Sequence, residues 1–475
     1  MPRNFITCCI MLVSAGCLAS CRTTEISTSR QQERWLAKGS RQDVNGWIFL
    51  HTEGAPFERG FQRGYLTANE ISEFLRTLAY TQEFETGLRL DYFVRVSSRL
   101  FKGKVPKEYA EEMRGIAAGM RHAGKTATYE QILYMNGFID ILWYWWPMER
   151  QRLRDDHPGC SAFIAAGDAT ADGKIVMAHN SWCPYTLGKS ANIILDIVPP
   201  SGHRILMQTW GPCIYSGTDF FITDAGLIGT ETTIGDFEGF NVHRIPVFVR
   251  ARKAMQYADS IDEWADILVE DNSGAYANSW LLGDIRTGEI ACLELGLKYH
   301  SLEKKKSGYF TGSNVTANMQ ILRLETDGTW DDIRDACVAR RVRWGQLMKE
   351  YHGRIDTWTA RQMLADHYDM YLQKEQPSSR TICGHADLDD AGVPGTTKAF
   401  RPSGAFDGKV VDSEMARAWQ LWAKWGGSCD TGFNAAEFIE EHPQYAWLKG
   451  YLPDLPAKPW TVFPPEPTGH GPRSP

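Results

Sequence analysis

The chain has 475 residues, of which 43% are hydrophobic and 12% aromatic, enough for one large core or for two to three average domains. Its formal net charge is -7 and it contains no long basic run, so its composition gives no indication of nucleic-acid binding. No internal repeat is visible, and no cofactor is predicted.

The N-terminal residues are predicted to direct export. Residues 5–19 are mostly apolar but too short to span a bilayer, because a spanning helix needs about 20 apolar residues. They lead into Leu18-Ala19-Ser20-Cys21, which resembles the lipobox of bacterial lipoproteins, where the cysteine is acylated after cleavage. We therefore predict a signal peptide at residues 1–20 and a lipidated Cys21 with a polar tether at residues 21–46, anchoring the protein in the bacterial cell envelope. The alternative is plain secretion, periplasmic or extracellular, with Cys21 incidental.

The cysteines that remain beyond the signal and Cys21 are odd in number. They are Cys160, Cys183, Cys213, Cys292, Cys337, Cys383 and Cys429. Export would permit disulfides, and an odd number leaves at least one free thiol. The sequence has no Cys-x-x-Cys pair and no zinc-type His/Cys spacing, so no metal site is predicted.

The segment at residues 47–159 is predicted to be mainly helical. A strand at residues 46–52 and a glycine-punctuated turn at residues 54–64 come first. Helical spacing of apolar residues then predicts helices at residues 66–78, 92–101, 106–123 and 129–146. In the last of these, Asn136 and Asp140 lie four residues apart, and we expect them to make buried polar contacts.

From residue 160 onward, β-type runs alternate with helical stretches. Strands are predicted at residues 160–166, 174–182, 192–198, 204–210, 219–223, 227–233, 278–282 and 289–295, with residues 297–302 and 309–312 continuing the sheet. Helices are predicted at residues 247–257, 261–270, 329–351 and 357–371. Strands grouped apart from helices favour an α+β fold in which helices cover sheets.

The hairpin that begins at residue 160 carries the candidate nucleophile. Cys160 directly follows a glycine at the head of the first strand, and His179 and Asn180 lie near the end of the second. Because these strands are adjacent, a thiol, an imidazole and an amide can meet at one end of the sheet and form a nucleophilic site. The alternative is a structural cysteine, since cysteine is among the most often buried residues.

Short motifs in a fixed order extend the pattern over most of the chain from about residue 46. They are GCSA (159–162), AHNSW (178–182), SGTDF (216–220), GLIGTETT (226–233), NSGAYANSW (272–280), RTICGH (380–385) and SGAFDGK (403–409). In this order they resemble the phospholipase B-like proteins, relatives of the C45 peptidase and acyltransferase group within the N-terminal nucleophile hydrolases. The resemblance implies a four-layer αββα sandwich, with residues 47–159 as a pro-chain and residues 160–475 as the nucleophile-bearing core and a C-terminal extension.

The resemblance also implies that the precursor cuts itself between Gly159 and Cys160. The freed α-amino group of Cys160 would then serve as general base for its own thiol, because such a group titrates at about 7.7–8.0 and can accept a proton near neutral pH. An uncut chain keeps an amide at this nitrogen and lacks that base.

Further roles follow from the resemblance residue by residue. Asn278 matches an asparagine whose side-chain amide helps to bind the oxyanion. His179 and Asn180 occupy the position of a polar pair near the nucleophile, His179 as a catalytic and Asn180 as a substrate-binding residue. Wider relatives carry an aspartate close by, where this chain, like phospholipase B-like members, has Trp182; this departure puts the role of orienting the ammonium group in doubt.

The wall of the substrate pocket is assigned to three further residues. Glu231 and Asp219 are its polar members, with structural hydrogen bonding as the alternative, and Arg340 falls near a pocket arginine of some relatives. His385 and Asp407 lie in motifs that we interpret as structural.

The predicted function is hydrolysis of amide or ester acyl bonds, fatty-acyl lipids included, through an acyl thioester on Cys160. With an amine as acceptor, the same site would be an acyltransferase. Two other classes stay open: a papain-like protease pairing Cys160 with His385 or His179, which the strand context of Cys160 disfavours, and a catalytically silent surface binding protein of the same fold. Predicted partners are acyl amides or esters, and a membrane through the lipid anchor.

Overall fold

A computed structural model describes residues 29–150, 159–390 and 398–466. The strands are β1 (Ser40–Val44), β2 (Trp47–Glu53), β3 (Cys160–Gly167), β4 (Gly173–Pro184), β5 (Ile193–Val198), β6 (Ile205–Thr209), β7 (Phe220–Thr223), β8 (Leu227–Thr233), β9 (Asn278–Asp284), β10 (Glu289–Leu295), β11 (His300–Lys305), β12 (Gly308–Gly312), β13 (Tyr368–Asp369), β14 (Lys374–Glu375), β15 (Ser403–Ala405), β16 (Asp407–Asp412), β17 (Leu421–Trp425) and β18 (Thr461–Phe463).

The helices begin with α1, whose described part is residues 29–36. The others are α2 (Pro56–Leu66), α3 (Ala68–Thr86), α4 (Leu90–Leu100), α5 (Lys107–His122), α6 (Tyr129–Asn136), α7 (Trp146–Arg150), α8 (Tyr185–Gly188), α9 (Val247–Tyr257), α10 (Ile261–Val269), α11 (Met319–Leu324), α12 (Ala336–Glu350), α13 (Thr357–Leu364), α14 (Ser413–Arg417) and α15 (Ala435–Glu441), with a π-helical turn at Ile139–Trp145 and a 3-10 helix at Pro443–Leu448. Among the described residues, no helix combines the length and the apolar character needed to cross a membrane.

The described strands build two large sheets. The first has nine strands in the order β1-β2-β5-β6-β7-β8-β9-β10-β11, and the second has seven, in the order β12-β3-β4-β16-β17-β18 with β15 paired to β4. Pairing is antiparallel except between β2 and β5, which run parallel. The segment before residue 160 therefore contributes strands to the first sheet and is part of the same folded body as Cys160.

The two sheets face each other, and helices cover their outer faces. Strands β3 and β4 contact β8 and β9 across the interior. Helices α2, α9 and α10 pack on the first sheet, whereas α12 and α13 pack on the second. The α+β prediction of a four-layer αββα sandwich with a mainly helical N-terminal segment is confirmed.

Strand β3 contributes to two separate cores because successive side chains of a strand point to opposite faces. Ala162 and Ile164 belong to the large core between the sheets. Phe163 and Ala165 belong to a second core beneath α12 and α13, where the Phe163 ring lies 5.5 Å from the ring of Trp344. This alternation decides which polar residues can share a face with Cys160.

The glycine-rich stretch at residues 54–64 is helical from Pro56 onward, so the predicted turn is wrong over most of its length. Helix α2 packs against α5 with its backbone in contact, and a Cβ atom at Gly60 would lie 2.0 Å from the carbonyl oxygen of Glu112. From the other side, a Cβ atom at Gly115 would lie 2.2 Å from the carbonyl oxygen of Phe57. These glycines serve close helix packing rather than chain reversal, a use that their spacing alone does not distinguish.

The predicted tether is also wrong over its second half. Residues 29–36 are helical, and Trp35 packs on Phe57 and Phe61 with ring centroids 5.6 and 5.4 Å apart. Strand β1 then pairs with β2 along its whole length. The predicted signal peptide and Cys21 lie outside the described residues.

The predicted helix that contains Asn136 and Asp140 is interrupted after Asn136 by the π-helical turn. Both side chains nevertheless make the expected buried contacts. Asn136 donates to the carbonyl of Pro212 at 3.0 Å and accepts from the backbone N–H of Ile214 at 2.8 Å. Asp140 accepts from the backbone N–H of Val247 at 3.3 Å.

Candidate active site

Cys160 is the first residue of β3 and is only 4% exposed. In the β3–β4 pairing it lies opposite Ser181, and Ala162 lies opposite His179. Directly opposed residues of an antiparallel pair place their side chains on the same face. Cys160, His179 and Ser181 therefore all point into the space between the sheets, and the predicted neighbourhood of Cys160 and His179 holds.

Asn180 faces the other way. Its side-chain amide donates to the carbonyls of Leu364 and Ile382 at 2.8 and 3.2 Å, and its oxygen accepts from the hydroxyl of Ser428 at 2.5 Å. These partners lie at the α13 side of the second sheet. The predicted substrate-binding role of Asn180 is not supported, because the period of two that brings His179 inward sends its neighbour outward.

The backbone nitrogen of Cys160 has a partner of its own. It donates to Oδ1 of Asn314 at 2.8 Å, while Nδ2 of Asn314 donates to the carbonyl of Thr233 at 2.6 Å. Asn314 has a left-handed backbone (φ 71°), which asparagine tolerates better than most residues. The nitrogen that would become an α-amino group after cleavage is thus already held by a side chain.

Arg340 completes this support. Its guanidinium donates to the carbonyl oxygen of Cys160, to Oδ1 of Asn314 at 2.9 Å and to the hydroxyl of Ser161 at 3.3 Å. It lies 5.1 Å from the ring of Trp182 and is 1% exposed. Arg340 therefore holds the backbone of Cys160 itself, which differs from the pocket-wall position expected from the sequence.

The thiol of Cys160 is surrounded by polar groups. A ligand-type atom of His179 and one of Asp219 lie within 4.8 Å of its sulfur and of each other, so this trio could also hold a metal ion. Burial, reinforced by the charge of Asp219, raises the pKa of the Cys160 thiol well above its ordinary value, although a backbone N–H of Trp182 donates to the sulfur. In the uncut chain this thiol is protonated at neutral pH and needs a base.

His179 is buried and neutral. Burial and the nearby Lys409 ammonium hold the pKa of its imidazole well below the ordinary value. Neither ring nitrogen makes a hydrogen bond of normal geometry to a described residue. The backbone of Glu231 interacts with the imidazole and partly offsets the lowering of its pKa. Because most buried polar atoms make well-formed hydrogen bonds and this ring makes none to a described residue, it is available to interact with a reacting group.

Asp219 and Glu231 form a carboxyl pair beside the thiol. The two carboxyl groups are close enough to interact, although neither oxygen of Glu231 makes a hydrogen bond of normal geometry to a described residue, and the hydroxyl of Tyr276 donates to Asp219 at 2.7 Å. Burial raises the pKa of Asp219 to about 6 despite these neighbours, and burial with the charge of Asp219 raises the pKa of Glu231 well above its ordinary value. Near neutral pH, Glu231 carries the shared proton and Asp219 carries the charge.

A buried lysine lies next to this pair. Lys409 donates to Asp407 at 2.8 Å, to Gln208 at 2.6 Å and to the hydroxyl of Ser181. Asp407 also accepts from the backbone N–H of Ser181 at 3.1 Å. The interpretation of Asp407 as structural fits these contacts, and Lys409 brings a positive charge to the face that carries His179.

Asn278 begins β9, with its side chain fully buried. Neither its amide nitrogen nor its oxygen makes a hydrogen bond within the described part of the chain. An unpartnered amide in the interior is what an oxyanion donor requires before substrate arrives, because the donor must be positioned and unoccupied.

A narrow cleft of about 20 Å³ opens at Cys160. Its walls are largely aromatic, with Trp143, Trp182, Trp210, Tyr276 and Phe406 among the lining residues. Asp219 also lines it, as predicted for the pocket wall.

Sequence reasoning missed Asn314, Lys409 and Tyr276. Asn314 follows β12 by two residues, and β12 pairs with β3 rather than continuing the first sheet as predicted. An asparagine shortly after a strand was the available signal, but only the pairing of β12 with β3 brings it to Cys160.

Cys160 therefore lies at the head of an inner strand of the αββα sandwich that the resemblance implied. The family model described as Phospholipase B matches residues 99–291. That segment includes Cys160, Asp219 and Asn278 and ends before Asn314 and Arg340. The resemblance to phospholipase B-like proteins is confirmed by this match and by the similarity of the chain to individual phospholipase B-like proteins.

Phospholipase B-like 1 of Homo sapiens is 25% identical over 447 residues, covering 81% of this chain and 77% of that protein. Phospholipase B of Crotalus adamanteus is 24% identical over 317 residues, covering 61% of this chain and 54% of that protein. An uncharacterized protein of Archaeoglobus fulgidus is 28% identical over 243 residues, and the matched region spans 48% of this chain but only 40% of that protein.

Two solved structures align with just over half of this chain. They are a conjugated bile acid hydrolase from Clostridium perfringens, with a TM-score of 0.32 and 11% identity over 56% of this chain and 89% of that one, and a penicillin V acylase from Agrobacterium tumefaciens, with a TM-score of 0.29 and 12% identity over 56% of this chain and 83% of that one. The fold of this chain is assigned from its own sheet order and layers.

Proposed function

We propose that this protein is a cysteine hydrolase of acyl bonds that activates itself by cutting before Cys160. The family description and the phospholipase names of its relatives support an acyl-bond hydrolase. The observation that carries the proposal is the hydrogen bond from the Cys160 nitrogen to Asn314. The side chain of Asn314 therefore holds the backbone nitrogen of Cys160, and the thiol of the same Cys160 lines the cleft.

Self-cleavage proceeds by attack of the Cys160 sulfur on the carbonyl carbon of Gly159. The Gly159–Cys160 C–N bond breaks, the nitrogen takes up the thiol proton, and a thioester joins the two residues. Water then hydrolyses the thioester, leaving a carboxylate on Gly159 and a free amine and thiol on Cys160. The contacts of Arg340 and Asn314 hold the Cys160 backbone while the bond before it is broken.

Turnover uses the same atoms on a substrate acyl group. The Cys160 amine takes the thiol proton, and the sulfur attacks the acyl carbonyl, whose developing oxyanion is bound by the amide of Asn278. The ammonium returns its proton to the departing amine or alcohol, leaving an acyl thioester. Water, deprotonated by the amine, releases the acid and restores the thiol. An amine that replaces this water makes the protein an acyltransferase.

The substrate class is an amide or ester of an apolar acyl group. The aromatic walls of the cleft favour such a group over a charged one, because they offer mainly apolar contact area. Fatty-acyl lipids fit this description and agree with the phospholipase names of the relatives. Export, with a lipid anchor at Cys21, belongs to the same proposal, and Cys21→Ala should move the protein from the membrane fraction to the soluble fraction.

A second candidate uses the uncut chain. Since ligand-type atoms of Cys160, His179 and Asp219 lie within 4.8 Å of one another, His179 could accept the thiol proton directly. His385, the other histidine considered for a papain-like site, lies instead beside Cys383 and Cys429, 3.5 Å from each sulfur.

The test is intact mass and N-terminal sequencing of the purified protein. We expect a fragment that starts at Cys160, and activity on p-nitrophenyl acyl esters, N-acyl amides or phospholipid vesicles. Cys160→Ala should abolish both the cut and the turnover, whereas Cys292→Ala, at a cysteine on β10, should change neither. An uncut chain with full activity would favour His179 as base, and an uncut, inactive chain would favour the silent binding protein.

A further inference from the structure

Two cysteines and two histidines meet away from the Cys160 cleft. They come from three separate stretches of the chain: His367 after α13, Cys383 and His385 in the following loop, and Cys429 after β17. One side-chain ligand atom of each residue lies within 4.8 Å of those of the other three. Both cysteines and His385 are buried, and His367 is half-buried. No part of the proposed acyl-transfer reaction uses them.

The spacing of three of these atoms matches tetrahedral zinc coordination. The sulfurs of Cys383 and Cys429 each lie 3.5 Å from Nε2 of His385. Bonds of about 2.3 Å to sulfur and 2.0–2.1 Å to nitrogen, at the tetrahedral angle, place a sulfur and a nitrogen ligand about 3.6 Å apart. One imidazole nitrogen offers a single proton or a single lone pair, so it cannot serve both thiols by ordinary hydrogen bonds.

The fourth position and the outer contacts fit the same geometry. His367 faces the Cys429 thiol, and its buried Nε2 makes no hydrogen bond of normal geometry to any described residue. The other ring nitrogen of His385, Nδ1, lies 3.7 Å from the carboxylate of Asp387, which accepts from the hydroxyl of Tyr185 at 2.8 Å. A carboxylate behind a histidine ligand is typical of zinc sites, because it fixes the tautomer and orientation of the ring.

We propose that His367, Cys383, His385 and Cys429 bind one structural zinc ion. Two cysteines and two histidines form a closed four-ligand set, which leaves no coordination position for water or substrate. Both thiols lose their protons on binding, and the ion ties the chain after α13 and after β17 to the loop between them. The sequence expectation of no metal site relied on local spacing, whereas these ligands are brought together only by the fold.

The proposed zinc site is connected to Cys160 through Trp182. Gly384, between two of the ligands, packs so closely on Trp182 that a Cβ atom there would lie 2.5 Å from the indole ring. The backbone N–H of Trp182 in turn donates to the thiol of Cys160. Loss of the ion should therefore loosen the support of Trp182 as well as the loop itself.

Zinc content tests the proposal directly. The full-length protein, purified without a histidine tag or chelator, should contain about one zinc per chain by mass spectrometry of the metals. Cys429→Ser and His385→Gln should reduce this at least about tenfold. Cys292→Ser on β10 and His300→Gln on β11 are matched controls outside the cluster and should keep the zinc, as should Cys160→Ala.

Cobalt gives a second readout that does not depend on a variant folding. Wild-type protein treated with a chelator and then with Co²⁺ should show the visible bands of tetrahedral cobalt and the near-ultraviolet thiolate-to-cobalt band. A lower midpoint of thermal unfolding after chelation, restored by Zn²⁺, would add support. A Cys383–Cys429 disulfide found by peptide mapping without reduction, in protein that holds no zinc, would overturn the proposal. Zinc retained in full by Cys429→Ser would do the same.

Discussion

The carboxyl pair beside Cys160 makes stability depend on pH in a direction opposite to that of most carboxylates. Burial raises the pKa of Asp219 from 3.8 to about 6 in the folded protein. The folded state therefore binds this proton more tightly than the unfolded state does. The resulting contribution to stability is fully present below about pH 4 and is lost as the pH rises through about 6.

The size of the effect follows from the pKa change. At about 1.36 kcal/mol per pKa unit, a rise from 3.8 to about 6 corresponds to about 3 kcal/mol. Asp219→Asn removes the titration while keeping an oxygen that can accept from Tyr276, and asparagine tolerates the positive φ of 70° at this position. Relative to its parent, the variant should gain about 3 kcal/mol in unfolding free energy as the pH rises from about 3 to about 7.

The assay is urea unfolding followed by tryptophan fluorescence at several pH values, in a Cys160→Ala background so that every sample is uncut. Asp196→Asn serves as a control in which the pH dependence has the opposite sign. The buried carboxylate of Asp196 pairs with Arg204 at 2.8 Å and with His51, and these partners outweigh burial and lower the pKa of Asp196. That variant should lose stability near neutral pH, with a difference that shrinks as the pH falls toward 3. Parallel pH profiles for Asp219→Asn and its parent would refute the assigned protonation of the pair.

Three further predictions follow from single contacts. Asn278→Ala should lower kcat by about 10²–10³ with the melting temperature unchanged, and an equal loss of both would make this residue structural. Arg340→Lys should slow self-cleavage in a time course by mass spectrometry, since an ammonium lacks the planar fork that contacts three groups here. An unchanged rate would show that the Arg340 contacts do not assist the cut. Gly119→Ala, whose Cβ would lie 2.1 Å from the carbonyl of Phe61, should destabilise by at least about 2 kcal/mol in urea unfolding, whereas Gly345→Ala, with no atom within 4 Å, should not.

The hairpin at Cys160 was predictable because its signals are local. Alternating apolar residues and a Gly/Asp turn predict two paired strands, and adjacency then brings Cys160 near His179. Because successive side chains of a strand alternate, only one of His179 and Asn180 can share the face of Cys160. Which one does so depends on the register in which the two strands pair, and the turn alone did not fix that register. In the folded chain, β3 and β4 shift register near Gly167, at the turn.

The rest of the site depends on contacts between distant parts of the chain. Asn314 reaches Cys160 only because β12 joins the second sheet beside β3, although the sequence suggested that it extends the first. His367 and Cys429 are likewise far apart in the chain, because strands β15, β16 and β17 of the second sheet lie between them. Side chains that meet through the order of strands in a sheet carry no spacing signal in the sequence. The sequence therefore indicated Cys160 as the candidate nucleophile, but it indicated neither Asn314, which holds the nitrogen of Cys160, nor the Cys/His cluster.

The space between the sheets also bears on whether the site is active. A sandwich core is normally apolar, and an unpartnered buried polar group costs about 1–3 kcal/mol. In this core, His179 and Asn278 have no hydrogen bonds of normal geometry to described residues, and Lys409 and Asp219 are buried charges close to the same thiol. A silent binding protein would be at least as stable with apolar residues at such positions. The concentration of these costs around Cys160 therefore favours chemistry over binding alone, because strongly perturbed groups cluster where reactions require them.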